Sequence, residues 1–214
     1  MRGGNYTLQA EQAKRHFLTY DQPRLIRKFG LVCDEMYLYA SLLRAPYRIN
    51  RYTGDLDRCC GGSWVDANSY EEIMMMLDLL CDSREDRALS GKWKSMADFG
   101  LQFHQNLLER GPDPTADMFN RNPDGLRRAC LALDGRAIPG GDIGYAVELF
   151  DGLEIGLQFW YGDDEFSPRL HYLWDENANQ YIRYETMYFA VNLLLRRLRE
   201  QMGTPREKMP ATEW

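Results

Sequence analysis

Three runs of alternating residues decide the fold of this chain: IGYAVEL over residues 143–149, EIGLQF over 154–159 and RLHYLW over 169–174. In each run apolar side chains alternate with polar or small ones, as in a strand with one buried face. Asp151-Gly152 separates the first two runs and is a strong hairpin signal. A polar turn over 162–168 separates the last two. The pattern predicts a three-stranded antiparallel meander.

Helical signals surround this meander. Ser69 followed by Glu72 forms a capping box, and Asp113-Pro114 and Asn122-Pro123 each place a cap residue before a proline in the first turn. The sheet is expected to be packed by about six helices. Helical patterns occur in seven segments: 7–20, from the cap Asp21 to Gly30, from Ser69 to about Leu80, from Ser95 and Asp98 through Phe99, Phe103 and Leu107, 113–120, 122–133 and 184–201.

Two further strands are predicted at 36–43 and 47–51, separated by Ala45-Pro46, and residues 55–63 are predicted to form a polar loop. Strands and helices do not alternate regularly, so the expected class is α+β, with a mostly antiparallel sheet packed by helices. With no long linker in the sequence, residues 1–202 are predicted to form a single domain, followed by a loose tail over 203–214.

The charge balance disfavours nucleic acid as a partner. Lys and Arg total 26 against 32 Asp and Glu, for a formal charge of -6, and an acidic surface repels phosphate backbones. The densest basic run, Arg196, Arg197 and Arg199, falls in the last turns of the final predicted helix, where cations interact favourably with the helix dipole.

The N-terminus has no secretory signal and no apolar stretch is long enough to span a bilayer. We therefore expect a cytoplasmic protein with no membrane partner.

Five cysteines have no metal-binding spacing. Their odd number and the absence of a C-x-x-C pattern predict reduced thiols, several of them in the core, and no metal site. The adjacent Cys59 and Cys60 precede Gly61-Gly62, so a reactive thiol in a turn is the alternative for this pair. The sequence indicates no particular cofactor.

The densest polar constellation surrounds the meander and supplies the candidate ligand site. Asp142 begins one strand and the acidic turn Asp163-Asp164-Glu165 ends the next, so both belong to the same end of an antiparallel sheet. Asp175 is expected at the opposite end. The candidate residues for a polar ligand are Asp142, Trp160, Asp163, Asp164, Glu165, His171 and Glu185. The carboxylates at this site could accept hydrogen bonds from a ligand or bind a cation, and Trp160 offers an aromatic surface for stacking. The alternative is that these acidic residues only occupy solvated turns and cap a helix.

One face of the meander carries Glu148, Glu154, Gln158, Arg169 and His171. These residues predict either a solvated face with cross-strand ion pairs or the floor of a polar pocket in which His171 titrates.

Several quoted motifs resemble the bacterial and archaeal DUF3786 family of domains of unknown function. They are Gly91-Lys92-Trp93, Gly141-Asp142, the stretch GDDEFSP at 162–168, Leu173-Trp174-Asp175, and Tyr181-Ile182 followed by Glu185. The resemblance runs from about Lys92 to Leu195 and implies no established activity or catalytic residues. Some members of that family are joined to a cysteine-rich iron–sulfur segment. This chain departs from that arrangement, because it lacks any such cysteine pattern.

Three functions are compatible with these features. The leading hypothesis is a binding or accessory module for a small polar molecule or a partner protein near the acidic turn. The second is a carboxylate-based hydrolase or transferase, with Mg²⁺ as a possible cofactor; no phosphate-binding loop, nucleophile elbow or zinc-protease motif occurs. The third is a protein–protein scaffold, for which Tyr37, Tyr39, Tyr47 and Tyr52 are the residues of interest.

Overall fold

The computed structural model describes residues 3–99 and 113–203. Its α-helices are α1 (Gly3–Thr19), α2 (Gln22–Phe29), α3 (Tyr70–Leu77), α4 (Pro114–Arg121), α5 (Pro123–Ala132) and α6 (Tyr184–Gln201). Its strands are β1 (Val32–Cys33), β2 (Tyr37–Leu42), β3 (Ala45–Asn50), β4 (Leu56–Cys60), β5 (Ser63–Asp66), β6 (Trp93–Ser95), β7 (Arg136–Ala137), β8 (Ile143–Phe150), β9 (Leu153–Trp160) and β10 (Arg169–Asp175). The expected α+β class is confirmed.

The predicted meander is confirmed as the centre of a five-stranded antiparallel sheet with the order β6-β10-β9-β8-β7. Leu157 lies opposite Tyr145 on one side and Tyr172 on the other. The β8–β9 turn is made by Asp151 and Gly152, which both have positive φ (52° and 78°). The inner residues of the three runs are buried in the core or, for Tyr145 and Leu170, partly buried against it, as period-two alternation requires.

The other five strands form a second antiparallel sheet in sequence order, β1 to β5. Its first hairpin turns at Leu43 and Arg44, with φ of 46° and 63°, and not at Ala45-Pro46 as predicted. Pro46 lies inside β3 opposite Ser41. Proline is tolerated there because the pairing of β3 with β4 begins only at Tyr47.

The prediction of a loop over residues 55–63 is wrong. Residues 56–60 form β4, which pairs with β5 through a tight turn at Gly61 and Gly62. Both glycines have positive φ (56° and 83°), as this kind of two-residue hairpin requires. The sequence gives no strand signal here, because the adjacent polar residues Asp57 and Arg58 interrupt the apolar–polar alternation.

Four predicted helix caps agree with the structure, whereas α1 begins at Gly3 and not at residue 7 as predicted. Asp21, Ser69, Asp113 and Asn122 each accept a backbone hydrogen bond as N-caps. Ser95 caps a short 3-10 turn over Met96–Asp98. The rest of the helix predicted through Phe103 and Leu107 lies outside the described residues, as do His104 and positions 204–214 of the predicted tail.

One hydrophobic cluster contains buried residues from both sheets and from all six of the described α-helices. The sheets also meet directly, because Leu43 N in the β2–β3 turn donates to Leu149 O of β8 at 3.1 Å. The left-handed Leu43 is held there by burial (1% exposed). Tertiary packing therefore stabilises a turn for which the dipeptide itself gives no signal.

Asp175, at the far end of β10, ties down the segment before β6. Its Oδ1 accepts from Ser90 N and Asn177 N, and its Oδ2 accepts from Gly91 N at 2.8 Å. Burial by itself would raise the pKa of this carboxyl, but the backbone hydrogen bonds from Ser90, Asn177 and Gly91 outweigh it and hold the pKa below its ordinary value.

We predict that Asp175→Asn lowers the free energy of unfolding at neutral pH by about 1.5–3 kcal/mol, because an amide nitrogen would face the Gly91 N–H donor. The folded-state pKa of Asp175 lies below the ordinary value of 3.8. The contribution of the carboxylate is therefore complete above that pH and is lost as the pH falls through the folded-state value. Urea unfolding at several pH values measures both effects.

Glu176→Gln is the matched control, because this neighbouring carboxylate forms a surface pair with Lys94. Equal losses of stability in the two variants would contradict the role assigned to Asp175.

Candidate functional site

The acidic turn uses its first carboxylate to hold its own backbone. Asp163 Oδ1 accepts from Glu165 N at 2.9 Å and from Phe166 N at 2.7 Å. These backbone donors, Phe166 first, hold the pKa of Asp163 below its usual range. Asp164 and Glu165 are exposed. The turn is therefore a self-satisfied loop on the surface, with its carboxylates directed to solvent rather than converging.

Asp142 lies at the same end of the sheet as this turn, as the strand order predicts. Its Oδ2 accepts from Tyr161 N at 2.7 Å, so it extends the β8–β9 pairing beyond Trp160. Arg127 of α5 closes over this end and donates to Asp142 O and to the Tyr161 hydroxyl. Asp142 thereby has a structural partner for one of its oxygens.

His171 and Trp160 lie on the outer face of the meander sheet, β6-β10-β9-β8-β7. The ring centroids of the two side chains are 6.2 Å apart. His171 contacts Ser95 through Nε2 at 2.8 Å and Gln158 through Nδ1 at 3.2 Å. Gln158 and His171, two of the polar residues predicted to share one face of the meander, are therefore in contact.

Glu185 lies elsewhere, in the first turn of α6. Its electrostatic neighbour is Tyr70 of α3, whose pKa is raised by burial, by Tyr6 and by Glu185. The seven candidate residues therefore occupy three places: the sheet end with the acidic turn, the outer sheet face, and the start of α6. Their common role in binding a ligand stays a prediction.

A buried ionic network that the sequence analysis did not predict joins residues of β3, α3 and α6. The hydroxyl of Tyr47 donates to Glu72 Oε1 at 2.6 Å and accepts from Arg197 Nη2 at 2.6 Å. Ser69 Oγ donates to Glu72 Oε2 at 2.7 Å. Arg197 is 3% exposed and Glu72 7%. β3, α3 and α6 are thus joined by one chain of charged hydrogen bonds.

Arg197 corrects an expectation. Its run was predicted to stabilise the end of the last helix from outside, whereas this guanidinium points into the core and donates from Nη1 to Glu200 Oε2 at 2.9 Å. Glu200 in turn accepts from Arg58 of β4 at 3.0 Å. A buried arginine needs such partners because an uncompensated buried charge is strongly destabilising.

A cavity of about 330 Å³ adjoins this network, between the β4–β5 hairpin and the helices α3 and α6. It is lined by Arg58, Cys60, Val65, Asp66, Glu72 and Arg196. Within the described part of the chain, Arg196 Nη2 is buried and makes no hydrogen bond, while Glu72 Oε2 lies 3.5 Å away. The cavity wall therefore holds a guanidinium nitrogen with an unused donor.

A larger cavity of about 470 Å³ lies between the two sheets, with Phe29, Tyr39 and Leu149 among its lining residues. The charged groups around it already have partners. Arg44 pairs with Asp134, and Asp151 pairs with Arg87. Glu148, a further charged residue of its wall, accepts from Gly152 N at 2.9 Å, so the smaller cavity, which has an unused donor, is the better candidate for recognising a polar molecule.

Two patterns in the sequence point to the missed network. The capping box Ser69-Tyr70-Glu71-Glu72 places a carboxylate at the start of an otherwise apolar helix, and Arg197 falls four residues after the buried Leu193, on the same helix face. A charge on the apolar stripe of a helix signals a buried partner. The alternation in β4 likewise places Arg58 and Cys60 on one face.

Within residues 3–99 and 113–203, no three side chains of His, Cys, Asp or Glu are grouped so that they could hold a metal ion. The helices of this part of the chain are all too short or too polar to cross a bilayer.

The fold defines an α+β protein with two five-stranded antiparallel sheets, and its candidate site is a small charged cavity beside one of them. The family model described as "Domain of unknown function (DUF3786)" matches residues 21–197. The chain belongs to this family, and the match extends well N-terminal of the motifs that carried the resemblance. No curated protein and no solved structure matches the chain.

We predict that Tyr47→Phe lowers the free energy of unfolding by about 1–3 kcal/mol, because it removes the hydroxyl between two buried charged groups. Arg197 Nη2 would be left 3.9 Å from Glu72 Oε1, too far for a hydrogen bond. Urea unfolding at neutral pH measures the change.

Tyr39→Phe on the adjacent strand is the matched control. The Tyr39 hydroxyl donates to the exposed Asp34 at 2.7 Å, and we expect its loss to cost no more than about 0.5 kcal/mol. If the two variants lose the same stability, the buried network does not have the role assigned to it.

Proposed function

We propose that this protein is a binding module for a small molecule bearing a carboxylate, held in the cavity between the β4–β5 hairpin and α6. The observation that carries this proposal is the unused hydrogen-bond donor of Arg196 in the cavity wall. Guanidinium groups recognise carboxylates through paired N–H donors. The proposal retains a small polar ligand, as predicted from the sequence, and assigns it to a different place.

The charge of the cluster favours an anionic group. Three guanidinium groups, those of Arg58, Arg196 and Arg197, face two carboxylates, Glu72 and Glu200. Arg58 and Arg196 of this cluster line the cavity together with Glu72 and Asp66, so the cavity wall offers both guanidinium and carboxylate groups. A ligand carboxylate would complete the pairing, and the partly buried setting strengthens the attraction relative to open solvent.

Asp66 favours a ligand that carries a cationic group in addition to its carboxylate. It lies on the exposed strand β5 at the edge of the cavity and accepts from Asn68 Nδ2 at 2.7 Å. A cationic group on the ligand would meet this carboxylate while the ligand's own carboxylate meets Arg196. A zwitterion such as an amino acid carries both groups, and about 330 Å³ is a sufficient volume for one.

A cytoplasmic location is part of the proposal. All five cysteines, Cys33, Cys59, Cys60, Cys81 and Cys130, are free thiols, which suits a reducing compartment. The formal charge of -6 supports a small molecule or protein rather than nucleic acid as the partner.

The test is a thermal-shift measurement with three sets of probes: amino acids, simple mono- and dicarboxylates, and uncharged amides. Ligand at 100 times its Kd stabilises the native state by about 2.7 kcal/mol, which raises the Tm by about 5–10 °C for a chain of this size. We expect a rise with at least one carboxylate-bearing probe and none with the amides. Arg196→Gln should abolish the rise.

Arg24→Gln is the matched control, because Arg24 forms an exposed pair with Glu85; it should leave the shift unchanged. Asp163→Asn combined with Glu165→Gln tests the acidic turn predicted from the sequence. A shift that survives Arg196→Gln and is lost in this double variant would move the site to the turn. Absence of any shift at millimolar concentrations would refute a carboxylate-binding module.

A further inference from the structure

A chain of hydrogen bonds crosses three strands on the outer face of the meander sheet, β6-β10-β9-β8-β7, and involves none of the residues that line the arginine-lined cavity. Ser95 of β6 contacts His171 of β10 at 2.8 Å, and His171 contacts Gln158 of β9 at 3.2 Å. His171 lies directly opposite Gln158, and Ser95 is paired with Leu173, two residues further along the same strand. The sheet register thus aligns a hydroxyl, an imidazole and a carboxamide.

The orientation of Gln158 determines which nitrogen of His171 carries the proton. Gln158 Nε2 donates to Pro139 O at 2.9 Å, so its carbonyl oxygen is the atom turned toward His171. Because that oxygen can only accept, His171 Nδ1 must be the protonated nitrogen of the neutral ring. Nε2 then carries the lone pair, and the hydroxyl of Ser95 donates to it.

Gly140 contributes to this orientation. It has a positive φ of 97°, and a Cβ at this position would lie 2.0 Å from Gln158 Nε2. The segment before β8 can therefore approach the carboxamide closely only because residue 140 has no side chain.

The surroundings keep the imidazole neutral and the serine in place. Burial lowers the pKa of His171 below its ordinary value of 6.5; Asp98 opposes this shift and Arg169 adds to it. Ser95 begins the 3-10 turn, where its Oγ accepts from Ala97 N and its backbone N–H donates to Asp98 Oδ2. Both Ser95 and His171 are half-buried, so a small reagent has access to them.

We propose that Ser95 is a nucleophile activated by His171 as general base, with Gln158 as the positioning residue, and that the site hydrolyses small carboxylic esters. The arrangement of nucleophile, base and orienting group is the one that serves acyl transfer. It rests on side chains of three strands and is independent of the binding function proposed above.

The reaction proceeds through an acyl-serine. Ser95 Oγ attacks the ester carbonyl carbon while its proton passes to His171 Nε2. The tetrahedral adduct collapses with cleavage of the bond to the alcohol oxygen, which takes that proton and leaves as the alcohol. Water then attacks the acyl-serine with His171 again accepting its proton, and the carboxylic acid departs with Ser95 restored. Ester and water give acid and alcohol, with no redox change.

The test uses a fluorophosphonate probe and p-nitrophenyl acetate on the full chain. The probe forms a P–O bond to Ser95 and loses fluoride together with the serine proton. We expect one adduct by intact mass, located on Ser95 by peptide fragmentation of the wild-type protein, a result that requires no variant to fold. Ser95→Ala should abolish labelling and ester hydrolysis, while Ser63→Ala on the exposed β4–β5 turn should change neither.

The pH dependence separates a positioning role of Gln158 from a structural one. The labelling rate should keep its neutral-pH value down to about pH 6.5. At lower pH the rate should fall, as His171 becomes protonated. His171→Ala should lower the rate at least about 100-fold. Gln158→Glu places a carboxylate against Nδ1 and should move the midpoint of the profile to higher pH.

Three results would each overturn the proposal: a folded wild-type protein that is not labelled at pH 8, an adduct on a residue other than Ser95, or a midpoint that Gln158→Glu leaves in place. Melting temperatures of all variants show which of them are folded.

Discussion

The burial of Arg197 imposes the strongest constraint on this structure. A guanidinium group cannot be deprotonated in a protein, so its place in the core requires partners that supply both charge and hydrogen bonds. Tyr47 and Glu200 accept those bonds, and Glu72 is held beside them by Tyr47 and Ser69. The relative positions of β3, α3 and α6 all depend on this network, because each contributes at least one member to it.

The three polar regions differ in how far their groups are already satisfied. The acidic turn binds its own backbone through Asp163, and Asp142 is occupied by Tyr161. Arg196 beside the buried network still has an unused donor. The Ser95–His171 pair is satisfied but chemically poised, since its proton can move along an existing hydrogen bond. The two proposals therefore rest on an unused donor and on a hydrogen bond that can transfer a proton, and not on the abundance of carboxylates from which the sequence predicted a site at the acidic turn.

Particular elements show how far sequence reasoning reaches. The meander was predictable because Asp151-Gly152 and period-two alternation are local signals, and the caps Asp21, Ser69, Asp113 and Asn122 are local as well. The turn at Leu43 and Arg44 was not predictable, because its left-handed conformation is supported by burial of Leu43 and a bond to Leu149, more than 100 residues away. β4 was not predictable from alternation, because its adjacent polar residues Asp57 and Arg58 interrupt the pattern.

The sequence by itself determined the α+β class, the central meander, the starts of most helices and the sheet end shared by Asp142 and the acidic turn. These features follow from contacts between residues close in the chain or from strand direction alone. Only the tertiary structure decided that Arg58, Glu72 and Arg196 line one cavity and that Ser95 meets His171. Periodicity reports which face of an element is buried, but it carries no information on which distant element will cover that face.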